Sequence, residues 1–264
     1  SGQRVCGRAE KNDKGIIFMD LRLDETGFGT LKIFQCPEEF CYGIDAVLLA
    51  DYAAGAAKKQ KNRCRIMDLG TGTGIVPLIL SHKTDAGYIA GLEVQEESFA
   101  LAQKNVFCNN LEDRLHFFRG DVCDFNSEGM EGTFDIVTSN PPYIKSRCGI
   151  ESRNRVKAAA RQETTGTLDD FVRCAARMLK DKGEFFMVHR PSRLVDLCES
   201  CRANRLEPKE MVFVSGKPTS VPNILLVRCV KNGKRELRIA KPMYVHNEDG
   251  SYSKRILKIY EKTM

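Results

Sequence analysis

From residue 64 onward, short apolar runs alternate with longer amphipathic segments, and this alternation constrains the fold more than any other feature. The first two runs are "CRIMDLG" at 64–70 and "GYIAGLEV" at 87–94, followed by helix-like segments at 74–83 and 96–109. Continuously apolar strands that alternate with helices are typical of a mostly parallel sheet covered on both faces. We therefore expect an α/β fold.

The alternation continues into the C-terminal part of the chain and predicts seven strands in all. The other predicted elements are strands at 115–122, 134–140, 183–189, 210–216 and 223–231, and helices at 167–180 and 191–203. The last two strands are joined without a helix, so they can pair antiparallel.

The first part of the chain has a different pattern. Residues 16–34 alternate loosely around a cluster of turn residues, which indicates a β-hairpin. The segment "YGIDAVLLADYAAGAA" at 42–57 predicts a helix with Asp45 as its N-cap. We therefore predict a short extension of hairpin and helix, residues 1–57, that packs on the main domain, residues 58–264. The two parts are expected to form effectively one domain.

The composition is that of an ordinary soluble globular protein, with 42% apolar and 29% charged residues among 264. The sequence contains no apolar run of the ~18 residues that a membrane span needs. Its polar N-terminus also lacks the apolar stretch of a signal peptide. We expect a cytoplasmic protein without a membrane partner, and the sequence leaves its oligomeric state open.

The eleven cysteines are scattered along the chain, which argues against a disulfide framework. A single CxxC pair, "CESC" at 198–201, lacks the second pair that a zinc site with four ligands requires. The four histidines lie far apart in the sequence. We therefore predict buried, reduced thiols and no structural metal.

A glycine-rich turn follows the first apolar strand. The segment "MDLGTGTGIVPLIL" places Gly70, Gly72 and Gly74 at the start of a helix. Glycines permit a tight turn and let a ligand approach the backbone, while the helix N-terminus supplies free N–H groups. Such a triplet is by itself compatible with a nicotinamide cofactor, a flavin or a nucleoside.

Three carboxylates narrow the choice of ligand. Asp68 stands two residues before the first glycine, at the end of its strand. Glu93 ends the second strand, where an acid can accept hydrogen bonds from ribose hydroxyls. Asp121, in "FRGDV", ends the third strand, where an acid can accept from an adenine amino group. The glycine order G-x-G-x-G, rather than G-x-G-x-x-G, disfavours the nicotinamide cofactor.

The spacing of "DLGTGTG", with an acid at the end of each of the next two strands, resembles class I S-adenosylmethionine-dependent methyltransferases. The resemblance implies a Rossmann-like seven-stranded sheet and S-adenosyl-L-methionine as cofactor. It assigns the ribose to Glu93 and the adenine amine to Asp121. The predicted cofactor-binding residues are Asp68, Gly70, Thr71, Gly72, Gly74, Glu93, Asp121, Val122 and Asn140.

The fourth strand ends in "NPPY", residues 140–143. An exocyclic amine on a base, like a carboxamide nitrogen, is a poor nucleophile because its lone pair is delocalised. The Asn140 side-chain oxygen and the Pro141 carbonyl can accept its N–H groups, and the rigid prolines reduce the entropy of alignment. Tyr143 offers a flat face for stacking. We therefore predict Asn140, Pro141, Pro142 and Tyr143 as catalytic residues, and "NPPY" resembles the signature of amino-group methyltransferases.

The flanking sequence favours RNA as the substrate. "FQCPEEFCYGIDAVLLADYA" and the tail from "SVPNILLVRCVK" onward resemble bacterial methyltransferases that modify adenine 37 of a valine tRNA at N6. The resemblance implies an isolated catalytic domain that recognises tRNA through a basic surface. Residues 145–161 hold six basic residues and one acidic residue, beside a net charge of +6 for the chain. The predicted RNA contacts are Lys145, Arg147, Arg153, Arg155, Lys157 and Arg161.

Other targets share the same signature. Related enzymes methylate N5 of glutamine in a release factor or N2 of guanine in ribosomal RNA, and others act on DNA. Glutamine enzymes usually carry a helical N-terminal domain and DNA enzymes a target-recognition domain, whereas strands are predicted in the first 40 residues here. A non-catalytic module that binds the cofactor or RNA is a further possibility, against which the intact "NPPY" argues.

Overall fold

The computed structural model describes residues 21–37, 41–58, 64–125, 128–142 and 166–262. The strands in these ranges are β1 (Arg22–Glu25), β2 (Lys32–Gln35), β3 (Arg65–Leu69), β4 (Tyr88–Glu93), β5 (Leu115–Arg119), β6 (Phe134–Ser139), β7 (Leu179–His189), β8 (Leu206–Ser215), β9 (Ile224–Lys231), β10 (Arg238–Ile239) and β11 (Met243–Tyr244). The helices are α1 (Ile44–Ala57), α2 (Ile75–Lys83), α3 (Glu96–Cys108), α4 (Leu168–Met178), α5 (Leu194–Ala203) and α6 (Lys254–Ile259). A 3₁₀ turn, Pro191–Arg193, precedes α5.

The central sheet has the strand order β10-β8-β9-β7-β6-β3-β4-β5, and β11 also pairs with β8. Its described pairings are parallel except those of β9, which runs antiparallel to both β7 and β8. The predicted α/β class, the mostly parallel sheet and the antiparallel last pair are confirmed. The sheet has nine strands rather than seven. Strands β10 and β11 escaped prediction because two residues are too few to show an alternating pattern.

Strand β3 shows why the apolar runs are continuous. Ile66 belongs to the core on the side of α1 and α2, whereas Met67 and Leu69 belong to the core on the side of α4 and α5. Because helices cover both faces of the sheet, the positions of β3 that follow the half-buried Arg65 are buried, and an apolar side chain is favourable at each of them. Asp68 is the exception in β3, and it lies in the site described below.

The N-terminal segment forms the predicted hairpin and helix. Strands β1 and β2 pair antiparallel in a sheet of their own, with Arg22 opposite Gln35. The N-cap prediction for α1 is wrong, because Gly43 is the N-cap and makes no side-chain capping bond. The helix begins at Ile44, so Asp45 stands in its first turn. A negative charge at that place interacts favourably with the helix dipole.

Two further boundaries differ from the sequence prediction. Strand β7 begins at Leu179, four residues before the apolar run, and Lys182 inside it adopts a φ of +60°. The helix α6 was not predicted, although Ser253 caps it by accepting a hydrogen bond from the Ile256 N–H. A helix of six residues has too few turns to produce a clear period in the sequence.

Within the described part of the chain, no helix is both long and apolar enough to cross a bilayer. The cysteines of these ranges are free thiols, and four of them are buried: Cys64, Cys174, Cys201 and Cys229. Burial raises the pKa of the Cys64 thiol to about 12.

Candidate active site

The predicted cofactor residues that the structure describes lie, together with Asn140, at the carboxyl edge of the sheet. Leu69 of β3 pairs with Leu92 of β4 on one side and with Ser139 of β6 on the other. Because these strands are parallel and in register, the residues that follow them lie side by side. The edge therefore brings together the glycine turn after β3, Glu93 at the end of β4 and Asn140 after β6.

The glycine turn requires its glycines for conformational reasons. Gly70, Gly72 and Gly74 have φ values of +68°, +56° and +84°, in the left-handed region that side chains disfavour. The N–H groups of Gly70 and Thr71 donate to the Leu92 carbonyl at 2.9 and 3.0 Å, which fastens the turn to β4. Gly74 is the N-cap of α2. A Cβ at Gly72 would meet nothing within 4 Å, so the turn has open space in front of it.

Glu93 is built into this turn. Its Oε2 accepts the Gly72 N–H at 2.8 Å, and its Oε1 accepts the Gln95 N–H at 2.9 Å. The side chain is 6% exposed. Burial raises the pKa of the Glu93 carboxyl, and the two backbone N–H groups oppose that rise. A carboxylate has about four acceptor positions, so Glu93 can brace the turn and still accept from ligand hydroxyls.

Asp68 lies beneath the turn and is almost wholly buried. Its Oδ1 accepts a hydrogen bond from the Thr138 hydroxyl of β6 at 2.6 Å. Burial raises the pKa of Asp68 to about 7, the Thr138 hydroxyl opposes the rise, and the negative charge of Glu93 adds to it. Asp68 is therefore poised between its neutral and ionised forms near neutral pH, and a nearby positive charge would favour the ionised form.

The Thr71 hydroxyl is a buried polar group of the turn. Its oxygen is buried and makes no hydrogen bond of normal geometry within the described ranges. It lies close enough to Asp68 to help lower the pKa of that carboxyl. Buried polar groups are nearly always hydrogen-bonded, so a hydroxyl that has only this contact with Asp68, beside the open face of the turn, fits a ligand with polar groups. The residues present thus fit a nucleoside cofactor carrying a positive charge.

The segment just after β5 carries the third carboxylate, Asp121, and a buried apolar side chain, Val122. Asp121 is half-buried, and its Oδ1 accepts the Cys123 N–H at 2.9 Å. The Cys123 thiol also bonds this carboxylate, whose roughly four acceptor positions still allow a bond to a ligand. Val122 is 7% exposed. A Cβ at Gly166, just before α4, would come within 2.8 Å of the Val122 side chain. The chain that leads into α4 therefore packs on Val122.

Strand β6 is tied to β3 by side chains immediately before Asn140. The Ser139 hydroxyl donates to the Leu69 carbonyl at 3.0 Å, next to the bond from Thr138 to Asp68. Asn140 is half-buried and Pro141 is buried. These two bonds fix the end of β6 against the glycine turn. The sequence prediction missed Thr138 and Ser139, although "TS" at the end of an apolar strand was the available signal.

His189, on the neighbouring strand, is a third residue that the sequence prediction missed. It ends β7, whose Met187 pairs with Ser139, and it is 4% exposed. Its Nδ1 accepts the Arg190 N–H at 2.8 Å. Burial lowers the pKa of His189 to about 4, helped by the charges of Arg193 and Arg190. The imidazole is therefore neutral at pH 7, beside the strand that carries Asn140.

Other predicted residues lie outside the described ranges. These are Tyr143 and the six basic residues Lys145, Arg147, Arg153, Arg155, Lys157 and Arg161. Their roles stay predictions. Among the residues that are described, no group of three or more histidine, cysteine or carboxylate side chains could hold a metal ion.

Comparison with protein families shows to which family of proteins this chain belongs. Residues 54–195, more than half of the 264, match the family model of the methyltransferase small domain. The chain belongs to this family. The matched range contains the glycine turn, Glu93, Asp121 and Asn140, so the edge described above is the candidate active site of a methyltransferase.

Curated relatives of this methyltransferase carry a more specific name. A protein of Porphyromonas gingivalis strain W83, named tRNA1(Val) (adenine(37)-N6)-methyltransferase, is 28% identical over 244 residues, covering 89% of this chain and 94% of the relative. A protein of the same name from Mannheimia succiniciproducens is 30% identical over 175 residues, covering 65% of this chain and 68% of the relative.

Solved structures confirm the fold of this methyltransferase. A protein of Agrobacterium tumefaciens, called a predicted O-methyltransferase, superposes with a TM-score of 0.65 at 19% identity, covering 82% of this chain and 95% of that one. The Pyrococcus horikoshii protein TYW2, solved with MeSAdo, has a TM-score of 0.54 at 15% identity, covering 81% and 72%. At such identities the likeness concerns the fold alone.

Proposed function

We propose that this methyltransferase transfers the methyl group of S-adenosylmethionine to the exocyclic N6 of an adenine in RNA, namely adenine 37 of a tRNA. The observation that carries the proposal is the position of Asn140 and Pro141, beside the glycine turn at the carboxyl end of β6. Relatives named for methylation of adenine 37 in tRNA1(Val), which match 89% of this chain, support the choice of target.

The cofactor site is proposed from the carboxylates of the edge. Glu93 accepts the ribose hydroxyls, and Asp121 accepts from the adenine amine, with Val122 against the base. Asp68, Thr71 and the backbone of the turn face the positively charged end of the cofactor. When bound, S-adenosylmethionine supplies an electrophilic methyl group on a sulfonium.

The protein's part in the reaction is to hold and aim a weak nucleophile. The Asn140 side-chain oxygen and the Pro141 carbonyl accept the two N–H groups of the target amine. Acceptance of both protons favours a pyramidal nitrogen whose lone pair is free to attack. No strong base is required, because the amine becomes acidic as its bond to the methyl group forms. Holding two reacting atoms in line lowers the barrier by converting an encounter into a unimolecular step.

The RNA partner is proposed from charge and accessibility. The chain carries a net charge of +6, and its basic run follows directly after the proposed catalytic residues. Base 37 lies in a loop, so turning it out should cost only about a few kcal/mol. A reaction on tRNA also agrees with the predicted cytoplasmic location.

The proposal is tested by incubating the protein with labelled S-adenosylmethionine, unmodified tRNA and a release factor in separate reactions. We expect label in the tRNA alone. Label confined to the release factor would establish glutamine methylation instead, and binding of the cofactor without transfer to any substrate would indicate a non-catalytic module.

A further inference from the structure

Asn105 of α3 and Asn109, the C-cap residue of that helix, hold the outer edge of β2. The Asn105 side-chain oxygen accepts the Phe34 N–H at 2.7 Å, and its amide nitrogen donates to the Phe34 carbonyl at 3.2 Å. Asn109 makes the same pair of bonds with Lys32, at 2.8 and 2.7 Å. Each side-chain amide therefore satisfies both backbone groups of one residue, as a neighbouring strand would.

The repeat lengths of helix and strand make this arrangement possible. Four residues of an α-helix rise about 6 Å, and two residues of a strand span about 6.7 Å. Asn105 in the last turn of α3 and the C-cap Asn109 are four residues apart, while Lys32 and Phe34 are two apart on β2, so both pairs can form at once. The two asparagines thus cover an edge that would otherwise present unpaired backbone groups.

Asn105 makes one contact that Asn109 lacks. Its amide nitrogen also donates to the Thr73 carbonyl at 3.0 Å. Asn109 directs its remaining N–H to the Asn105 carbonyl, at 2.7 Å. Asn105 is fully buried, and its oxygen and both of its N–H groups are engaged. A single side chain therefore joins the hairpin, α3 and the glycine turn.

Thr73 lies between two glycines with positive φ, Gly72 and Gly74. Glycine loses more conformational freedom on ordering than any other residue. A turn that contains several glycines therefore needs bonds from outside to hold one shape. Asn105, on a rigid helix, supplies such a bond to the Thr73 carbonyl. The preceding residue, Gly72, is held by the bond from its N–H to Glu93.

We propose that Asn105 is a positioning residue for cofactor binding, which acts by fixing the glycine turn while it clamps the N-terminal hairpin. The inference rests on the proposed function, because it takes the glycine turn as the cofactor site. It predicts that the hairpin and the cofactor site are coupled, and such coupling is reciprocal. Order in the hairpin strengthens cofactor binding, and bound cofactor strengthens the hairpin.

Asn105→Ala and Asn109→Ala test the proposal as a matched pair, since both remove a clamp on β2 and only the first removes the bond to the turn. Both variants should lower the melting temperature. Asn105→Ala should weaken S-adenosylhomocysteine binding by about fivefold or more, with turnover at saturating cofactor close to that of the wild type. Asn109→Ala should bind the ligand within about twofold of the wild type. Equal affinities for the two variants would overturn the proposal.

If Asn105→Ala does not fold, hydrogen exchange of the wild-type protein tests the coupling between the hairpin and the cofactor site. S-adenosylhomocysteine should slow exchange of the Phe34 amide, and should do so more than for the Lys32 amide. An unchanged Phe34 amide in the saturated protein would overturn the coupling. Failure of the wild type to bind S-adenosylhomocysteine at all would instead refute the proposed cofactor site, so the two failures are distinguishable.

Discussion

Removal of the Thr138 hydroxyl should shift the pH dependence of cofactor binding. Asp68 has a pKa of about 7 because it is buried, and the Thr138 hydroxyl donates to it at 2.6 Å. A hydrogen bond to a charged group contributes about 1.5–3 kcal/mol, and one pKa unit corresponds to about 1.4 kcal/mol. Thr138→Val should therefore raise the pKa of Asp68 by about one to two units, while nearly conserving the shape of the side chain.

The sign of the effect follows from the charge of the cofactor. S-adenosylmethionine carries a net positive charge, so it should bind the form of the site in which Asp68 is ionised. Its affinity should fall by up to about tenfold per pH unit below the pKa of Asp68, and the midpoint should move from near 7 in the wild type to about 8–9 in Thr138→Val. S-adenosylhomocysteine lacks the sulfonium charge and should show a weaker dependence.

The stability of the unliganded protein should change in the opposite sense. The pKa of Asp68 is raised from 3.8 in the unfolded chain to about 7 in the folded protein. Its contribution to stability is thus complete below pH 3.8 and is lost as the pH rises through 7.

Calorimetric titrations between pH 6 and 9 measure the affinity for S-adenosylmethionine of the wild type and of Thr138→Val. Ser139→Ala is the control, since the Ser139 hydroxyl bonds the Leu69 carbonyl and not Asp68. Identical midpoints in the wild type and Thr138→Val would refute the reasoning.

Three further predictions concern single residues. Asn140→Ala should reduce turnover by about 10²-fold or more, far more than it weakens cofactor binding, because Asn140 aligns the target amine. Steady-state kinetics measure the turnover and a binding titration measures the affinity, and unimpaired turnover would exclude this role. Glu93→Ala should instead mainly weaken cofactor binding, by about tenfold or more for each lost hydrogen bond to a charged group, and an unchanged dissociation constant would contradict it. His189, with its pKa lowered to about 4, contributes stability that is complete above pH 6.5 and lost as the pH falls towards 4, by up to about 3 kcal/mol. Urea unfolding of the wild type and His189→Gln at several pH values isolates this contribution, and parallel pH profiles would rule it out.

The main elements of the fold could be predicted because their patterns are strong. The apolar runs that became β3, β4 and β6 are buried on both faces, and the turn after β3 needs positive φ values, which glycine adopts at the lowest cost. Because Glu93 and Asn140 each end a strand of a mostly parallel sheet, the sequence already predicts that they lie on one edge. The register of β3 with β4 and β6 confirms that placement.

Features that depend on long-range contacts could not be predicted in the same way. Asn105 stands in an ordinary helical pattern, and its partners, Phe34 and Thr73, lie 71 and 32 residues away in the chain. The raised pKa of Asp68 depends on how completely the folded chain buries this carboxyl, which the sequence does not reveal. Strands β10 and β11 form because β8 offers an edge, not because their residues show a period.

The most direct test of the central claim is the identity of the methylated nucleoside. A tRNA transcript with adenine at position 37 and a matched transcript with guanine there should each be incubated with S-adenosylmethionine and either the wild type or Asn140→Ala. Mass spectrometry of the digested RNA should show N6-methyladenosine with the wild type and the adenine transcript only. N2-methylguanosine, or equal methylation of the two transcripts, would contradict the account.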